Sequence, residues 1–384
     1  MATKTHLICS AVALLLAGSL CAAEIPNPLA SADGQVVTTA QAWQEKVRPQ
    51  TLQLFREQEY GVRPVGKPAE FQAKVTREDP RALDGLATLK EIEITYAGPN
   101  GSGKIHPVLL IPNAVKAPAP TFLLFGFSKP DPLAESNIRG AWPVREIVAR
   151  GYATVAFHVS EVDPDRADGF DNGVRAIFGK QPRAADAWGA LSAWGWAASR
   201  IMDYLETDSA IAAKRVAVIG HSRCGKAALW CGAEDPRFSY VISNNSGCGG
   251  AAMARTKQGE RIANITSHFP YWFCENYQKY RNHEENLPVD QHQLLSLIAP
   301  RLLYVASATL DEWADGKSEF ESCVRASPVF ALFGKTGLEA MTLPAPDHAL
   351  LGGSIGYHMR TGKHDLAVSD WRHYMDFADR HWKR

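Results

Sequence analysis

A serine set in a turn too sharp for most residues constrains this chain more than any other feature of it. The stretch reads Val216-Ala217-Val218-Ile219-Gly220-His221-Ser222-Arg223-Cys224-Gly225-Lys226-Ala227-Ala228-Leu229-Trp230. A short apolar run stops at Gly220, Ser222 follows, and an alanine-rich, helix-compatible segment begins after Gly225. This is the layout of a nucleophile elbow, a strand-to-helix turn that lifts a hydroxyl clear of the backbone. Small residues surround such a turn because it brings strand and helix backbones close together. The common pattern is G-x-S-x-G, whereas here Cys224 takes the second glycine position and Gly225 comes one residue later. A Gly-Ser turn without chemistry satisfies the same local pattern, so the rest of the chain has to decide.

An elbow of this kind sits in a mostly parallel sheet, and the sequence supplies one. Residues 121–125, 152–157, 216–219, 240–243 and 301–306 are short apolar runs of the sort that buried parallel strands show. Helical segments alternate with them. Residues 142–150 are closed by Gly151, and Ala187, Leu191, Trp194, Ala198, Ile201 and Leu205 recur at spacings of four and three. Trp371, Tyr374, Ala378 and Trp382 mark a final amphipathic helix. This alternation predicts an α/β fold, a mostly parallel sheet with helices on both faces in a three-layer αβα sandwich. Ahead of it, residues 24–65 read as an N-terminal cap with a helix over 42–60 that ends at Gly61 and Pro64. Strands are predicted at 71–75, 89–96 and 105–111, with Gly98-Pro99-Asn100-Gly101 turning a hairpin. Residues 161–182 read as a loop rich in Asp, Gly and Pro, and residues 338–343 as a further strand. Without repeats or a low-complexity linker, residues 24–384 read as a single catalytic domain with an aromatic-rich insertion at about 245–300.

The first 23 residues read as a cleaved signal peptide: Lys4, then an apolar stretch from Leu7 to Leu20, then small residues before Glu24. The expectation is an exported protein, periplasmic or extracellular. No later stretch has 18 continuous apolar residues, so no membrane span is predicted. With 41 basic residues against 41 acidic ones, the chain lacks the basic excess that binding a nucleic acid requires. There is no zinc-ligand spacing, no metal or cofactor is expected, and a monomer is the simplest assembly. Five cysteines remain after the signal, Cys224, Cys231, Cys248, Cys274 and Cys323, which permit at most two disulfides.

A serine hydroxyl needs a base, and the base needs an orienting acid. In this fold the chain order is serine, acid, histidine. Asp311 follows the run 302–306 and is the leading acid, with Glu312 beside it as a rival and helix capping as its bland alternative. For the base, His364 lies in the glycine-containing loop Thr361-Gly362-Lys363-His364-Asp365 before the last helix. His348 in Pro346-Asp347-His348 competes with it, while His358 sits in an apolar stretch and reads as structural. His221, beside the serine, also reads as structural. The backbone N–H of Arg223 and the loop Gly126-Phe127-Ser128 are candidate oxyanion donors. Arg223 and Lys226 place two cations near Ser222, which suits an anionic or polyhydroxylated substrate; surface charges without function fit the same pattern.

Taken with Trp188-Gly189-Ala190-Leu191-Ser192-Ala193-Trp194, with Gly259-Glu260 and Phe269-Pro270-Tyr271-Trp272-Phe273, and with Gly362-Lys363-His364-Asp365, the elbow resembles that of bacterial glucuronoyl esterases. These form a carbohydrate esterase family, family 15, of the α/β-hydrolase superfamily. The resemblance implies metal-free hydrolysis of esters between glucuronic acid branches of xylan and lignin alcohols. It implies Ser222 as nucleophile, His364 as base, Asp311 as acid, and the Arg223 side chain as an oxyanion donor. It further implies that Lys226 binds sugar hydroxyls and that Glu260 and Trp313 contact the glucuronoyl ring. His268 falls where some relatives carry a substrate-binding acid. One departure stands out: Asn245, in Ser243-Asn244-Asn245-Ser246-Gly247, occupies the other acid position, where many members have a glutamate. Two further readings stay open, an acetylxylan esterase or other carboxylesterase on the same fold, and a carbohydrate-binding protein whose catalysis has lapsed.

Overall fold

The computed structural model describes residues 24–134, 140–168 and 170–382; the expected signal peptide lies outside them. Among the described residues a ten-stranded sheet carries the fold. Its antiparallel edge is β1 (Phe71–Ala82), β2 (Ala87–Gly98), β3 (Gly101–Ile105) and β4 (Val108–Pro112). Its parallel part is β5 (Ala119–Gly126), β6 (Ala153–His158), β7 (Ile211–His221), β8 (Tyr240–Asn244), β9 (Leu302–Ala308) and β10 (Ile355–Arg360). The order is β1-β2-β4-β6-β5-β7-β8-β9-β10, with β3 beside β2. β8 is buried along its whole length and β5 along all but its last residue, which is why both read as unbroken apolar runs rather than alternating ones.

Helices cover both faces, and each face has its own core. On one face the helix Ala190–Leu205 is buried at every position, the consequence of its Ala, Gly and Trp content. Its Trp194 donates to the Asp163 carbonyl at 2.9 Å, so even this ring's polar edge is satisfied. On the other face the last helix, Val368–His381, buries Trp371, Tyr374, Phe377 and Ala378. The chain reverses its winding direction at β5, whose neighbours are β6 and β7. That reversal opens a crevice at the carboxyl ends of the strands, where Gly126 and His221 finish β5 and β7.

The predicted hairpin at Gly98-Pro99-Asn100-Gly101 forms, with Gly98 paired to Gly101. The single strand expected over 105–111 is instead two, because Pro107 has no N–H to give a ladder; β2 pairs with both pieces. Residues 338–343 form no strand, and the strand beside β9 is β10, the stretch around His358. The loop over 161–182 contains the short helices Val159–Val162 and Gly173–Phe178 at its ends. They are tied by a buried ion pair in which Arg175 Nε donates to Asp163 Oδ1 at 2.7 Å. The helix expected over 42–60 is present as a helical run from 40 to 60 and stops at Gly61, whose φ of 87° ends it.

The strand-to-helix turn is tightest at Gly220, where an added Cβ would lie 2.0 Å from the Cys224 carbonyl oxygen. That oxygen belongs to backbone and cannot swing aside. Gly220→Ala is expected to destabilise the protein by roughly 2 kcal/mol or more, as strain at a special backbone site does. A thermal melt checks this; a Tm equal to that of the native protein would show that the turn has slack.

Candidate active site

Ser222 sits between β7 and the helix Arg223–Glu234 with φ 57° and ψ −127°, a backbone state that few non-glycine residues adopt. Its N–H donates to the Asn244 carbonyl at 2.8 Å, and its own carbonyl accepts from Gly225 N–H at 2.8 Å. Gly225 is needed as a small residue because a Cβ there would meet the Asn244 oxygen and Ser246. Cys224, in the position usually held by glycine, is buried, so the elbow tolerates a small side chain there. As the first helical residue, Arg223 has no intrahelical acceptor for its N–H, and the positive end of the helix dipole lies at the serine.

Asp311, three residues past β9, is 7% exposed, and His364 reaches it with Nδ1 2.6 Å from Oδ2. The Asn245 amide donates to the same oxygen at 2.8 Å. Burial works against ionisation of Asp311, but the hydrogen bonds from His364 and Asn245 hold its carboxyl below the usual range. Because Nδ1 is bound to a carboxylate, it carries the proton and Nε2 is left as the basic nitrogen. Ser222 and His364 line the same cavity, which has a volume of about 300 Å³.

The rivals lie elsewhere. His348 and Glu312 are exposed and do not line the cavity. His358 is buried on β10 between the Tyr304 hydroxyl, 2.9 Å away, and Asp370, 2.8 Å away. His221 turns its Nδ1 to the Asn244 side chain at 2.6 Å and packs its ring 4.5 Å from that of His364. Burial, and then the neighbouring His364, push its pKa down to about 4, so it stays neutral beside His364.

Arg223, Lys226, Asn245, Glu260, Phe269, Trp272 and Trp313 also line the cavity. Arg223 is held by Asp165 at 2.6 Å, and its guanidinium lies 4.8 Å from the Trp272 ring centre. Phe269 stacks on Trp272 with centroids 3.9 Å apart, so the aromatic insertion does build one wall. Lys226 is buried and donates to the Ser246 carbonyl. Trp313 is 54% exposed at the mouth. His268 is the outlier: it ends the exposed side of the helix Ile262–His268, with Nδ1 2.9 Å from the Asn264 carbonyl, and does not line the cavity.

Several residues that shape the site carry no motif. Asp165 accepts from Arg223 and also from Tyr271 Oη at 3.0 Å and Trp272 Nε1 at 2.8 Å, so a single carboxylate fixes the cation and one wall. The buried Lys257 ammonium donates to the Glu260 carbonyl at 2.6 Å and to that of Trp313 at 3.2 Å, tying together the two segments that carry those residues. Gly259 allows this closeness, since a Cβ there would meet the Glu312 oxygen at 2.5 Å. Glu319 takes Gly247 N–H at 2.9 Å and Ser307 Oγ at 2.6 Å, pinning the loop after β8 to β9. The sequence does not mark these charges, because each lies among polar neighbours: Asp163-Pro164-Asp165-Arg166, Arg255-Thr256-Lys257-Gln258 and Lys317-Ser318-Glu319. Cys224, Cys231, Cys248, Cys274 and Cys323 are all free and buried. Among the described residues no cluster of three metal-ligating side chains occurs, and no helix is long and apolar enough to cross a membrane.

A strained elbow serine, a carboxylate-bound histidine and a cavity at the carboxyl ends of parallel strands define a serine hydrolase of the α/β-hydrolase architecture. A family model described as glucuronyl esterase of fungi matches residues 102–334. A carbohydrate esterase from an unknown prokaryotic organism is 36% identical over 93% of this chain and 89% of its own. A 4-O-methyl-glucuronoyl methylesterase of Schizophyllum commune is 28% identical over 81% of this chain and 74% of its own. The solved glucuronoyl esterase of Solibacter usitatus superposes with a TM-score of 0.87 at 40% identity, covering 94% of this chain and 98% of that one. The chain therefore belongs to the glucuronoyl esterases of carbohydrate esterase family 15, and is a carbohydrate esterase of the serine hydrolase type.

Two consequences can be measured. Asp165→Asn weakens the hold on Arg223 while keeping its shape, so kcat is expected to fall about tenfold with little change in fold, the scale of one charge-assisted hydrogen bond. An unchanged kcat would mean that Arg223 is positioned by its aromatic neighbours alone. Burial raises the Glu319 carboxyl to about 7, above its ordinary value. The folded state therefore holds a proton that the unfolded chain releases, and stability falls as pH rises from the ordinary carboxylate range through about 7. Glu319→Gln is expected to flatten that part of a Tm-against-pH curve; an equally steep curve would assign the slope to other groups.

Proposed function

We propose that the cavity binds the glucuronoyl half of an ester and that Ser222 attacks its carbonyl carbon. His364 Nε2 takes the Ser222 proton as the Oγ–C bond forms, while Asp311 stabilises the resulting imidazolium. The negative charge that develops on the carbonyl oxygen meets the Arg223 backbone N–H and guanidinium. His364 then returns the proton to the alcohol oxygen as its bond to carbon breaks, leaving an acyl-enzyme on Ser222. Water repeats the sequence and releases glucuronic acid.

The supporting observation is the His364–Asp311 hydrogen bond beside an elbow serine, in a cavity that also holds Arg223 and Lys226. A charged and polar wall suits a hydroxylated acyl group better than an acetyl group. Lys226 and Glu260 offer a donor and an acceptor to sugar hydroxyls, and Trp313 offers an indole face to the ring. The substrate class is then an ester of glucuronic acid or its 4-O-methyl form, as in the lignin–carbohydrate linkages of glucuronoxylan. An N-terminal export segment over residues 1–23 would deliver the enzyme to such a polymer outside the cytoplasm.

The native protein is expected to hydrolyse benzyl glucuronate and to leave acetylated xylan largely intact. Ser222→Ala should show only background turnover, and Asp311→Asn should lose on the order of 10³-fold or more in kcat. Turnover of acetyl esters alone would overturn the substrate class, and full activity in Ser222→Ala would overturn the elbow mechanism.

A further inference from the structure

We propose that Asn245 is a positioning residue for the acid of the triad: its side-chain amide fixes the Asp311 carboxylate and keeps it from holding His364 too tightly as an imidazolium. The proposal rests on the roles of Ser222, His364 and Asp311 given above. Asn245 presents a donor to the acid: its Nδ2 lies 2.8 Å from Asp311 Oδ2. That is the oxygen which binds His364 Nδ1 at 2.6 Å. Two donors on one carboxylate oxygen divide its negative charge, so less of it falls on the histidine.

The amide has no freedom to turn. Asn245 is 2% exposed, and rotating it would set Oδ1 against the Asp311 carboxylate. Its backbone is fixed as well. Its N–H donates to the Ala306 carbonyl at 2.7 Å, and its φ of 47° is a left-handed state that asparagine tolerates better than most residues. The next two residues are held by Glu319, through Gly247 N–H at 2.9 Å and Ser246 Oγ at 3.3 Å. Asn245 Oδ1 has no hydrogen-bond partner, a cost that the donor contact to Asp311 offsets. The titratable and charged groups around Asp311 and His364 are the neutral His221 from β7, Arg223 and Lys226 from the elbow helix, Glu319 from the helix Gly316–Leu332, Glu260 from the aromatic insertion, and Asp365 from the loop of His364. All are common to the proteins compared below.

The acid limb of kcat/KM reports the histidine of the free enzyme. It should be measured with benzyl glucuronate for the native protein, Asn245→Gly and Asn245→Asp, after Ser222→Ala has been shown to be inactive on that substrate. Glycine and aspartate both accept the left-handed backbone, so neither is expected to disturb folding. Removing the donor in Asn245→Gly should move the acid limb up by about half a pH unit and lower kcat several-fold, the scale of one hydrogen bond to a charged group partly transmitted. Asn245→Asp adds a carboxylate beside Asp311 and should move the limb further, by about one pH unit. A native limb in Asn245→Gly overturns the proposal, whatever Asn245→Asp does, since a shift in the latter alone reports only added charge. A lowered Tm with an unmoved limb overturns it too, leaving Asn245 a purely structural residue. An active Ser222→Ala would instead remove the triad on which the proposal rests.

Discussion

The close approach of strand and helix at Ser222 is the constraint on which the rest of the structure depends. A non-glycine residue held at φ 57° costs on the order of 1–3 kcal/mol and persists only where its surroundings leave no alternative. Here they leave none. β7 is fixed between β5 and β8, and the helix that follows is anchored at its far end. Trp230 stacks on Tyr60 with centroids 4.5 Å apart, Arg56 grips Glu234 through two hydrogen bonds, and Gly232 lets Val241 pack against the helix. Burying large side chains of this kind stabilises by roughly 1.5–3 kcal/mol each, enough to outweigh the turn. The helical run over 40–60 is thus part of what makes a strained serine possible.

Legibility in the sequence follows from the range of the interactions involved. The elbow, the alternation of buried strands and helices, and the approximate places of Asp311 and His364 are local patterns, and they were readable. The break at Pro107 was also readable in principle, since a proline cannot serve in the ladder that β2 offers to β3 and β4. What the sequence does not carry is the identity of distant partners. Asp165 and Arg223 are 58 positions apart, and Lys257 and Trp313 are 56 apart. His268 shows the opposite failure: the family resemblance puts it at a substrate-binding position, but it ends an exposed helix side away from the cavity. Asn245 was legible as a departure and not as a donor, because only packing reveals that its amide faces Asp311.

Charge in the site is arranged so that each ion answers to another without being neutralised where it acts. Asp165 sets Arg223, backbone carbonyls hold Lys226 and Lys257, and Asp311 serves His364. Lys226 meets a carbonyl dipole rather than a carboxylate where it lines the cavity. His221 completes the arrangement by staying neutral 4.5 Å from His364, since a second cation there would oppose formation of the imidazolium.

The convergence of these groups is a matter of sheet register. His221 pairs with Asn244 across β7 and β8, and Asn244 pairs with Ala306 across β8 and β9. The last ladder pairs of β7 and β8 lie level, so Ser222 and Asn245 leave the sheet side by side, while β9 runs on beside β10 to Ala308. Ser222 N–H closes on Asn244 and Asn245 N–H closes on Ala306, carrying the ladder one step beyond the strands. Asp311 returns over this edge to meet Asn245, and Thr309 and Leu310 take hydrogen bonds with Arg360 and Gly362, which bring the loop of His364 to the same place. A slip of a single residue in β8 would turn Asn245 to the other face of the sheet and leave Asp311 only His364 and the Ala314 N–H. The cluster of Ser222, Asp311 and His364 therefore owes its geometry to three adjacent parallel strands held in one register, and less to the loops that carry its members.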